Sequence, residues 1–383
     1  MVPERGPAKG VHPPGHPGGA AAASRGVFRD LAANPVYWLL VATPALLIAH
    51  KLAPNAHTAL FLFAIVAIVP LAALLSHATE SVAARTGDAV GGLLNATLGN
   101  LTELVIAITA LRAGMLDLVK ASITGAVVTN SLFMLGGSFL LGGLKNRVQE
   151  FNPRNARVQA AMLLLATVGL VVPSAVTRVD ALNVPEFTRP LSLAISAILL
   201  LTYGLGLLFS LKTHKDLFGS ASEEQHAAAW PMAGSLIALA VATVCIALVS
   251  EVFVGSVQEA ALSLGMSKAF VGFVVVSLVG AAAEMTAAFS GAMKNRLDLS
   301  VGIAMGSSTQ IALFVAPVLL ILSYFLSPAP MDLQFGGGQV LMVLLTTLAV
   351  SGVVAGGRSA WYSGVQLLAV YAVFAVTLYL LPH

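Results

Sequence analysis

The chain has 383 residues, of which 57% are hydrophobic and 10% are charged, whereas ordinary soluble domains carry roughly 25% charged residues. This composition excludes a water-soluble globular protein and predicts an all-α protein that crosses the lipid bilayer many times. The net charge of +3 comes from Lys and Arg residues that lie between apolar segments. No nucleic-acid-binding surface is therefore predicted.

Residues 1–30 are rich in Pro, Gly and Ala and contain no apolar segment of the kind that a signal peptide needs. We interpret them as a disordered cytoplasmic tail. From residue 35 onward, apolar segments long enough to span a membrane follow one another. Eleven are predicted, at 35–52, 57–81, 89–112, 116–144, 157–177, 190–211, 231–254, 268–293, 297–325, 336–356 and 359–381.

The loops between these segments indicate an orientation. The tail and the loops on the side of the N-terminus hold 14 of the 20 Lys and Arg residues. By the positive-inside rule, the N-terminus is cytoplasmic and, after eleven spans, the C-terminus is outside. The sequence thus predicts an integral membrane protein, and the inner (plasma) membrane of a bacterium is the expected location.

Two segments of the chain repeat each other at a constant offset. The motif at 91–133 aligns with the motif at 272–314 without a gap, so that Gly99 pairs with Gly280 and Glu103 with Glu284. We interpret this as an internal duplication. The predicted organisation is an extra first helix at 35–52, a five-helix repeat at 57–211, a short cytoplasmic linker at 212–229 and a second five-helix repeat at 231–381.

The odd number of spans in each repeat gives the two repeats opposite orientations. Inverted repeats of this kind are typical of secondary transporters, whose binding site lies between the repeats near the midplane of the membrane. Glu103 and Glu284 both fall near the middle of their spans. A carboxylate at that depth is costly, and as a rule it persists because it binds or moves something.

Further polar or small residues lie at the same depth. They are Gly99 and Asn100 in span 3, Asn130 in span 4, Gly280 in span 8, and Ser307 and Gln310 in span 9. The glycines allow close helix packing and loosen the helix, so that backbone carbonyls can turn toward a cavity. Ser308 and Glu80 are secondary candidates, and Glu80 could line a path to the site.

This set of side chains predicts a site for a hard cation. It offers carboxylate and amide oxygens and no Cys or His, which favours Ca²⁺ over zinc or copper. Two facing carboxylates in an apolar site cannot both stay charged without a cation, so protons should bind to them when the cation leaves. Competition between Ca²⁺ and H⁺ for a site that opens alternately to each side makes an antiporter. No cofactor is expected; the partners are the transported inorganic cations and the bilayer.

The residues also resemble a known family. Residues 91–103, ending in Gly99-Asn100-Leu101-Thr102-Glu103, and residues 293–315, which contain Gly306-Ser307-Ser308-Thr309-Gln310, are similar to the two signature repeats of the calcium/cation–proton exchangers. This is the CAX branch of the cation/calcium antiporter superfamily. The resemblance implies eleven spans, the two repeat glutamates as carriers of cation and proton, and export of Ca²⁺ from the cytosol driven by proton entry.

Three positions depart from the family pattern. Ala281 replaces an Asn and Met285 replaces a His in the second repeat, and Ala126 replaces a Ser in the first. Loss of a neutral ligand weakens cation binding without changing the charge of the site. We expect modest Ca²⁺ affinity and an increase of about tenfold in Ala281→Asn, the effect of roughly 1.4 kcal/mol.

Two alternatives remain open from the sequence. The exchanger could couple to Na⁺ or K⁺ instead of H⁺. Alternatively, the protein could be a cation channel, which would need a continuous pore but would not require an inverted repeat. An intramembrane hydrolase is not supported, because no nucleophile–base pair and no His pair lies near the midplane.

Overall fold

The computed structural model of the protein describes residues 32, 34–176, 185–214 and 230–381. The predicted tail at 1–30 and most of the predicted linker at 212–229 lie outside the described residues. Within them, nine helices are long and apolar enough to cross a membrane, and two bent helix pairs bring the number to eleven. The predicted class, an all-α polytopic membrane protein, is confirmed.

We number the eleven spans in chain order. They are α1 (Pro35–Leu52), α2 (His57–Ala83), α3a (Asp88–Leu98) with α3b (Leu101–Arg112), α4 (Leu116–Asn146), α5 (Pro153–Val176), α6 (Pro185–Thr213), α7 (Met232–Ser263), α8a (Lys268–Gly280) with α8b (Ala282–Met293), α9 (Leu297–Leu326), α10 (Gly337–Val354) and α11 (Trp361–Tyr379). α5 and α6 begin at prolines, as helices often do, because the first turn needs no proline N–H. α7 continues beyond the predicted end at 254.

The third and eighth spans are broken at equivalent positions. α3a and α3b meet at an angle of 42° around Gly99 and Asn100, and α8a and α8b meet at 60° around Ala281. The sequence predicts a loosened helix at Gly99 and Gly280, and the structure shows that both helices are fully interrupted there. Glycine weakens a helix because it gains the most freedom when the helix opens. Each break starts a new helix, whose first turn contains Glu103 or Glu284.

The fourth and ninth spans carry a second matched irregularity. A π-helical segment occupies Thr129–Met134 in α4 and Ile311–Val315 in α9. When the two repeats are aligned, these segments overlap. Wide turns of this type inside α-helices are frequent at functional sites. The segment in α4 contains Asn130, and the segment in α9 begins directly after Gln310.

A short two-stranded ribbon was not predicted. β1 (Val148–Glu150) follows α4 and pairs antiparallel with β2 (Arg358–Ala360), which precedes α11. Arg358 contacts Glu150 at 2.7 Å, and the buried Gln149 amide donates to the carbonyl oxygen of Ala292 at 2.9 Å. Strands of three residues are too short to give an alternating hydrophobic pattern. The ribbon ties the loops after α4 and α10 to the end of α8b.

The fourth span packs closely against the first half of the eighth. Gly125 of α4 lies directly on the backbone of Phe273 in α8a. From the other side, a Cβ at Gly272 would meet the carbonyl oxygen of Leu118 at 3.0 Å. Glycine is needed at both positions because the two backbones touch. The molecule is therefore closed between α4 and α8a.

The equivalent place in the other repeat is open. Around Gly306 of α9, the described residue nearest to an added Cβ is Gln159, whose side chain lies 3.9 Å away. Gly92 of α3a, the equivalent of Phe273, faces the side chain of Leu211 in α6. The helices α9 and α3a are thus separated where α4 and α8a are in contact. The two repeats are packed unequally.

This inequality gives a stability prediction with a built-in control. We expect Gly125→Ala to lower the free energy of unfolding by about 1–3 kcal/mol, because the new methyl group overlaps backbone that cannot rotate away. Gly306→Ala, the equivalent change, should be neutral or stabilising by up to about 1 kcal/mol, since Ala is the better helix former and space is available. Thermal unfolding in detergent measures both, and equal losses in the two variants would contradict the unequal packing.

Candidate functional site

The two repeat glutamates lie in equivalent environments. Glu103 is in the first turn of α3b and Glu284 in the first turn of α8b. Each side chain is half-buried, and one oxygen of each carboxylate, Oε1 of Glu103 and Oε2 of Glu284, is buried without a hydrogen-bond partner among the described residues. The positive end of each half-helix dipole stabilises the negative charge. Each carboxylate thus keeps an unused acceptor oxygen.

The two glutamates lie close to each other. A Cβ at Gly280 would lie 2.8 Å from Cγ of Glu103, so the Glu103 side chain rests against the last residue of α8a. Glu284 interacts electrostatically with Glu103 and, more weakly, with Glu80. The structure therefore brings Glu103 to the break in α8, one helical turn from Glu284. Gly280 allows this approach because it has no side chain.

A chain of hydrogen bonds joins the predicted amides and hydroxyl. Asn130 Nδ2 donates to Ser307 Oγ at 2.8 Å, and Ser307 Oγ donates to Asn100 Oδ1 at 2.8 Å. Asn100 Nδ2 donates to Gln310 Oε1 at 2.5 Å. Ser307 also lies beside the carboxylate of Glu284. All four predicted polar residues are therefore within one network that adjoins the glutamates.

The network continues to a residue that the sequence did not indicate. Gln310 Nε2 donates to Tyr203 OH at 3.2 Å, and this hydroxyl donates to the carbonyl oxygen of Ala96 at 2.7 Å. The ring of Tyr203 stacks on Phe314, with centroids 5.4 Å apart. At the opposite end of this hydrogen-bond chain, Asn130 Oδ1 is buried and has no hydrogen-bond partner in the described part of the protein.

Tyr371 occupies the corresponding place in the second repeat. Its hydroxyl lies 3.3 Å from Thr129 Oγ1, which lies 2.9 Å from Ser277 Oγ, and its ring packs on Phe133 with centroids 5.2 Å apart. The surroundings of the two tyrosines are repeat equivalents: Gln310 with Thr129, Phe314 with Phe133, and Ser277 with Ala96. The tyrosines themselves lie outside the register of the repeat, so the duplication carries no signal for them.

Ser308, a secondary candidate, lies at the crossing of α4 and α9. Its hydroxyl accepts from Ser131 at 2.8 Å and approaches the carbonyl oxygens of Ala304 at 2.8 Å and Val127 at 3.3 Å. Val127 and Ser308 are equivalent residues of the two repeats, so the pseudo-two-fold axis passes near their contact. The hydrogen-bonding capacity of Ser308 is used at this crossing.

Glu80, the other secondary candidate, is exposed near the end of α2. Its carboxylate accepts from Ser76 Oγ at 3.2 Å. Its only described link to the site is the electrostatic interaction with Glu284. Glu80 thus lies outside the hydrogen-bonded network but near enough to interact with the carboxylate of Glu284.

The three departures from the family pattern are all buried. Ala281, at the break in α8, is 0% exposed, Ala126 is 3% exposed and Met285 is 7% exposed. Ala126 lines a small cavity that Glu103 also lines. The equivalent residue of Ala126 in the other repeat is Ser307, which fills its place with a hydrogen-bonded hydroxyl.

Among the described residues, no group of three or more His, Cys, Asp and Glu side chains could hold a metal ion. A cation at Glu103 and Glu284 would therefore need neutral oxygens to complete its coordination. Ca²⁺ takes six to eight oxygen ligands, and amide, hydroxyl and carbonyl oxygens are suitable. Asn130 Oδ1 is an unused neutral oxygen in the network.

Comparison with known proteins identifies the family. The family model described as sodium/calcium exchanger protein matches residues 56–212 and again residues 234–380. The chain belongs to this family. Membership confirms that the protein is a transporter and not an enzyme, as predicted, and that it is an integral membrane protein.

Relatives of this exchanger family cover nearly the whole chain. A Ca²⁺/H⁺ antiporter of Aphanothece halophytica is 38% identical over 365 residues, which cover 91% of this chain and 97% of the relative. The Ca²⁺/H⁺ antiporter ChaA of Bacillus subtilis is 37% identical over 353 residues, covering 91% and 100%. The solved structure of native YfkE has 35% identity and a TM-score of 0.78, and covers 90% of this chain and 100% of that chain. The resemblance inferred from the sequence motifs is thus confirmed.

Proposed function

We propose that this member of the exchanger family is a Ca²⁺/H⁺ antiporter that carries both ions on Glu103 and Glu284. The observation that carries the proposal is the pair of equivalent helix breaks, each of which presents a carboxylate with a buried, unpartnered oxygen to the same site. The relatives named as Ca²⁺/H⁺ antiporters support this choice of ions.

The chemistry of exchange follows from the charge of the site. Two carboxylates neutralise one Ca²⁺, and Asn130 Oδ1 adds a neutral ligand. When Ca²⁺ leaves, the carboxylates take up protons, because two negative charges in contact within a low-dielectric interior repel each other strongly. Ca²⁺ and H⁺ thus compete for the same carboxylates. The two ions therefore cross the membrane in opposite directions and never together.

Alternating access requires that the site open to one side at a time. The unequal packing of the repeats supports such a cycle: α4 and α8a are in contact, whereas the equivalent pair α9 and α3a is separated. In the orientation predicted from Lys and Arg residues, the closed side faces outward and the open side faces the cytosol. If α9 and α3a came into contact and α4 and α8a separated, the site would close to the cytosol and open to the outside.

A flux measurement tests the proposal. Purified protein in liposomes with an acidic interior should accumulate external Ca²⁺, and a protonophore that abolishes the pH gradient should stop the uptake. Liposomes with an equal gradient of Na⁺ or K⁺ at constant pH provide the matched control and should accumulate little.

Each alternative gives a different result. Uptake driven by the Na⁺ or K⁺ gradient, with none driven by the pH gradient, would replace H⁺ by that ion. Ca²⁺ movement that follows only its own gradient would indicate a channel. A fully folded protein that carries no Ca²⁺ under any gradient would refute the proposed substrate.

A further inference from the structure

The hydrogen-bond chain that reaches the cation site has a direction. From Asn130 to Tyr203, each amide or hydroxyl donates to the next side chain, which accepts the bond. Two directions satisfy every internal bond. In the observed direction the free end is Asn130 Oδ1, which can bind a cation; in the reverse direction the free end would be the Asn130 NH₂ group, which cannot.

The break in the third span fixes this direction. The hydrogen-bond ladder of α3a ends with Gly99 N–H donating to Asn95 O at 2.9 Å. The next carbonyl, that of Ala96, accepts the hydroxyl hydrogen of Tyr203. A carbonyl only accepts, so Tyr203 must donate to it and can only accept from Gln310. The Gln310 NH₂ group must then face Tyr203, and its oxygen must face the next amide in the chain.

We propose that Tyr203 is a positioning residue that sets the direction of this chain and thereby presents the Asn130 amide oxygen to the transported cation. The proposal rests on the proposed function, because it assigns a role at the same site. Tyr203 is suited to this task since it is 7% exposed and its ring is held against Phe314. Water has little access to replace its hydroxyl.

The second repeat provides a natural comparison. Tyr371 is 6% exposed and packs on a phenylalanine in the same way. Its hydroxyl reaches Thr129 and, through it, Ser277. Within the described part of the chain, this path contains no amide. Tyr371 therefore holds helices together without orienting an amide ligand, and its hydroxyl should matter little for cation affinity.

The test compares Tyr203→Phe with Tyr371→Phe. Both variants keep the packing of the aromatic ring and remove one buried hydroxyl. Calorimetric Ca²⁺ titration of the purified full chain should show that Tyr203→Phe raises the Kd about fivefold, the change expected from one hydrogen bond of ordinary strength. Tyr371→Phe should change it by less than about twofold. In liposomes, Tyr203→Phe should raise the KM for Ca²⁺ and leave the maximal rate within about twofold of the parent.

A double variant separates positioning from a general loss of stability. If Tyr203 acts through Gln310, then Tyr203→Phe should have no further effect on Kd when Gln310→Ala is already present. An equal loss in both backgrounds, or an unchanged Kd in Tyr203→Phe, would overturn the inference while the parent still binds Ca²⁺. A parent that binds no Ca²⁺ would instead overturn the proposed function, and this inference with it.

Discussion

Replacement of either repeat glutamate by Gln is expected to abolish Ca²⁺/H⁺ exchange, with a loss of at least about 100-fold in the initial rate. Removing one carboxylate leaves Ca²⁺ half-neutralised in a site of low dielectric. Breaking a buried charge pair in this way costs about 3–5 kcal/mol, and a difference of about 1.4 kcal/mol is already a factor of ten. The amide also cannot carry a proton. Proton-driven Ca²⁺ uptake into liposomes measures the effect on Glu103→Gln and Glu284→Gln.

The loss should be specific to transport and not to folding. Glu and Gln have nearly the same shape, and neither carboxylate is engaged in an ion pair within the described residues, so the thermal unfolding temperature should stay close to that of the parent or rise. Glu80→Gln is the matched control, since it removes an acid outside the hydrogen-bonded network. It should retain substantial exchange. Proton-coupled uptake that persists in both single variants of the repeat glutamates would refute the two-glutamate mechanism.

Much of the fold was predictable from the sequence because the signals are strong in a membrane. The spans follow from hydropathy alone, since every backbone group in lipid must be satisfied within a helix. The register of the internal repeat then paired spans 3 and 8 and spans 4 and 9. The breaks beside Gly99 and Gly280 followed from local chemistry, although their sharpness did not.

The candidate site was predictable only as a set of residues. Its amides and hydroxyl were identified by polarity and depth, but which of them bond to each other depends on helix rotation and crossing, which hydropathy does not contain. Tyr203 was missed for the same reason. A tyrosine in an apolar span is ordinary, and only the neighbouring Ala96 carbonyl and Gln310 amide reveal its connection to the site.

The structure also shows that two of the departures from the family pattern are connected. Asn100 Oδ1 accepts from Ser307 Oγ, and the repeat equivalents of these two residues are Ala281 and Ala126. On the other side of the pseudo-two-fold axis, both partners of this hydrogen bond are therefore replaced by alanine. The sequence identified each replacement separately, and only the three-dimensional arrangement relates them.

We accordingly expect Ala281→Asn and Ala126→Ser to act together on Ca²⁺ affinity. The introduced amide gains its hydroxyl donor only in the double variant, and an amide without a partner at a fully buried position costs about 1–3 kcal/mol. The double variant should bind Ca²⁺ about tenfold more tightly than the parent, because it adds one oxygen ligand that is held in the right orientation. Ala281→Asn alone should therefore gain less than the increase of about tenfold expected from the sequence, because the structure leaves the new amide without its hydroxyl donor. Ala126→Ser alone should change the affinity little, because the cavity beside Ala126 accommodates the hydroxyl.

Calorimetric titration of the four proteins measures the coupling directly, with the thermal unfolding temperature recorded for each. The reciprocal experiment uses the intact side: Asn100→Ala and Ser307→Ala should each weaken Ca²⁺ binding, and the double variant should lose less than the sum of the two, because either change alone already breaks the bond at 2.8 Å. A folded double variant of Ala281 and Ala126 that binds no more tightly than the parent would show that the missing pair does not limit affinity. The remaining departure, Met285, would then be the one to test for an effect on Ca²⁺ affinity. The family pattern has a His at this position, which would add a titratable group beside Glu284.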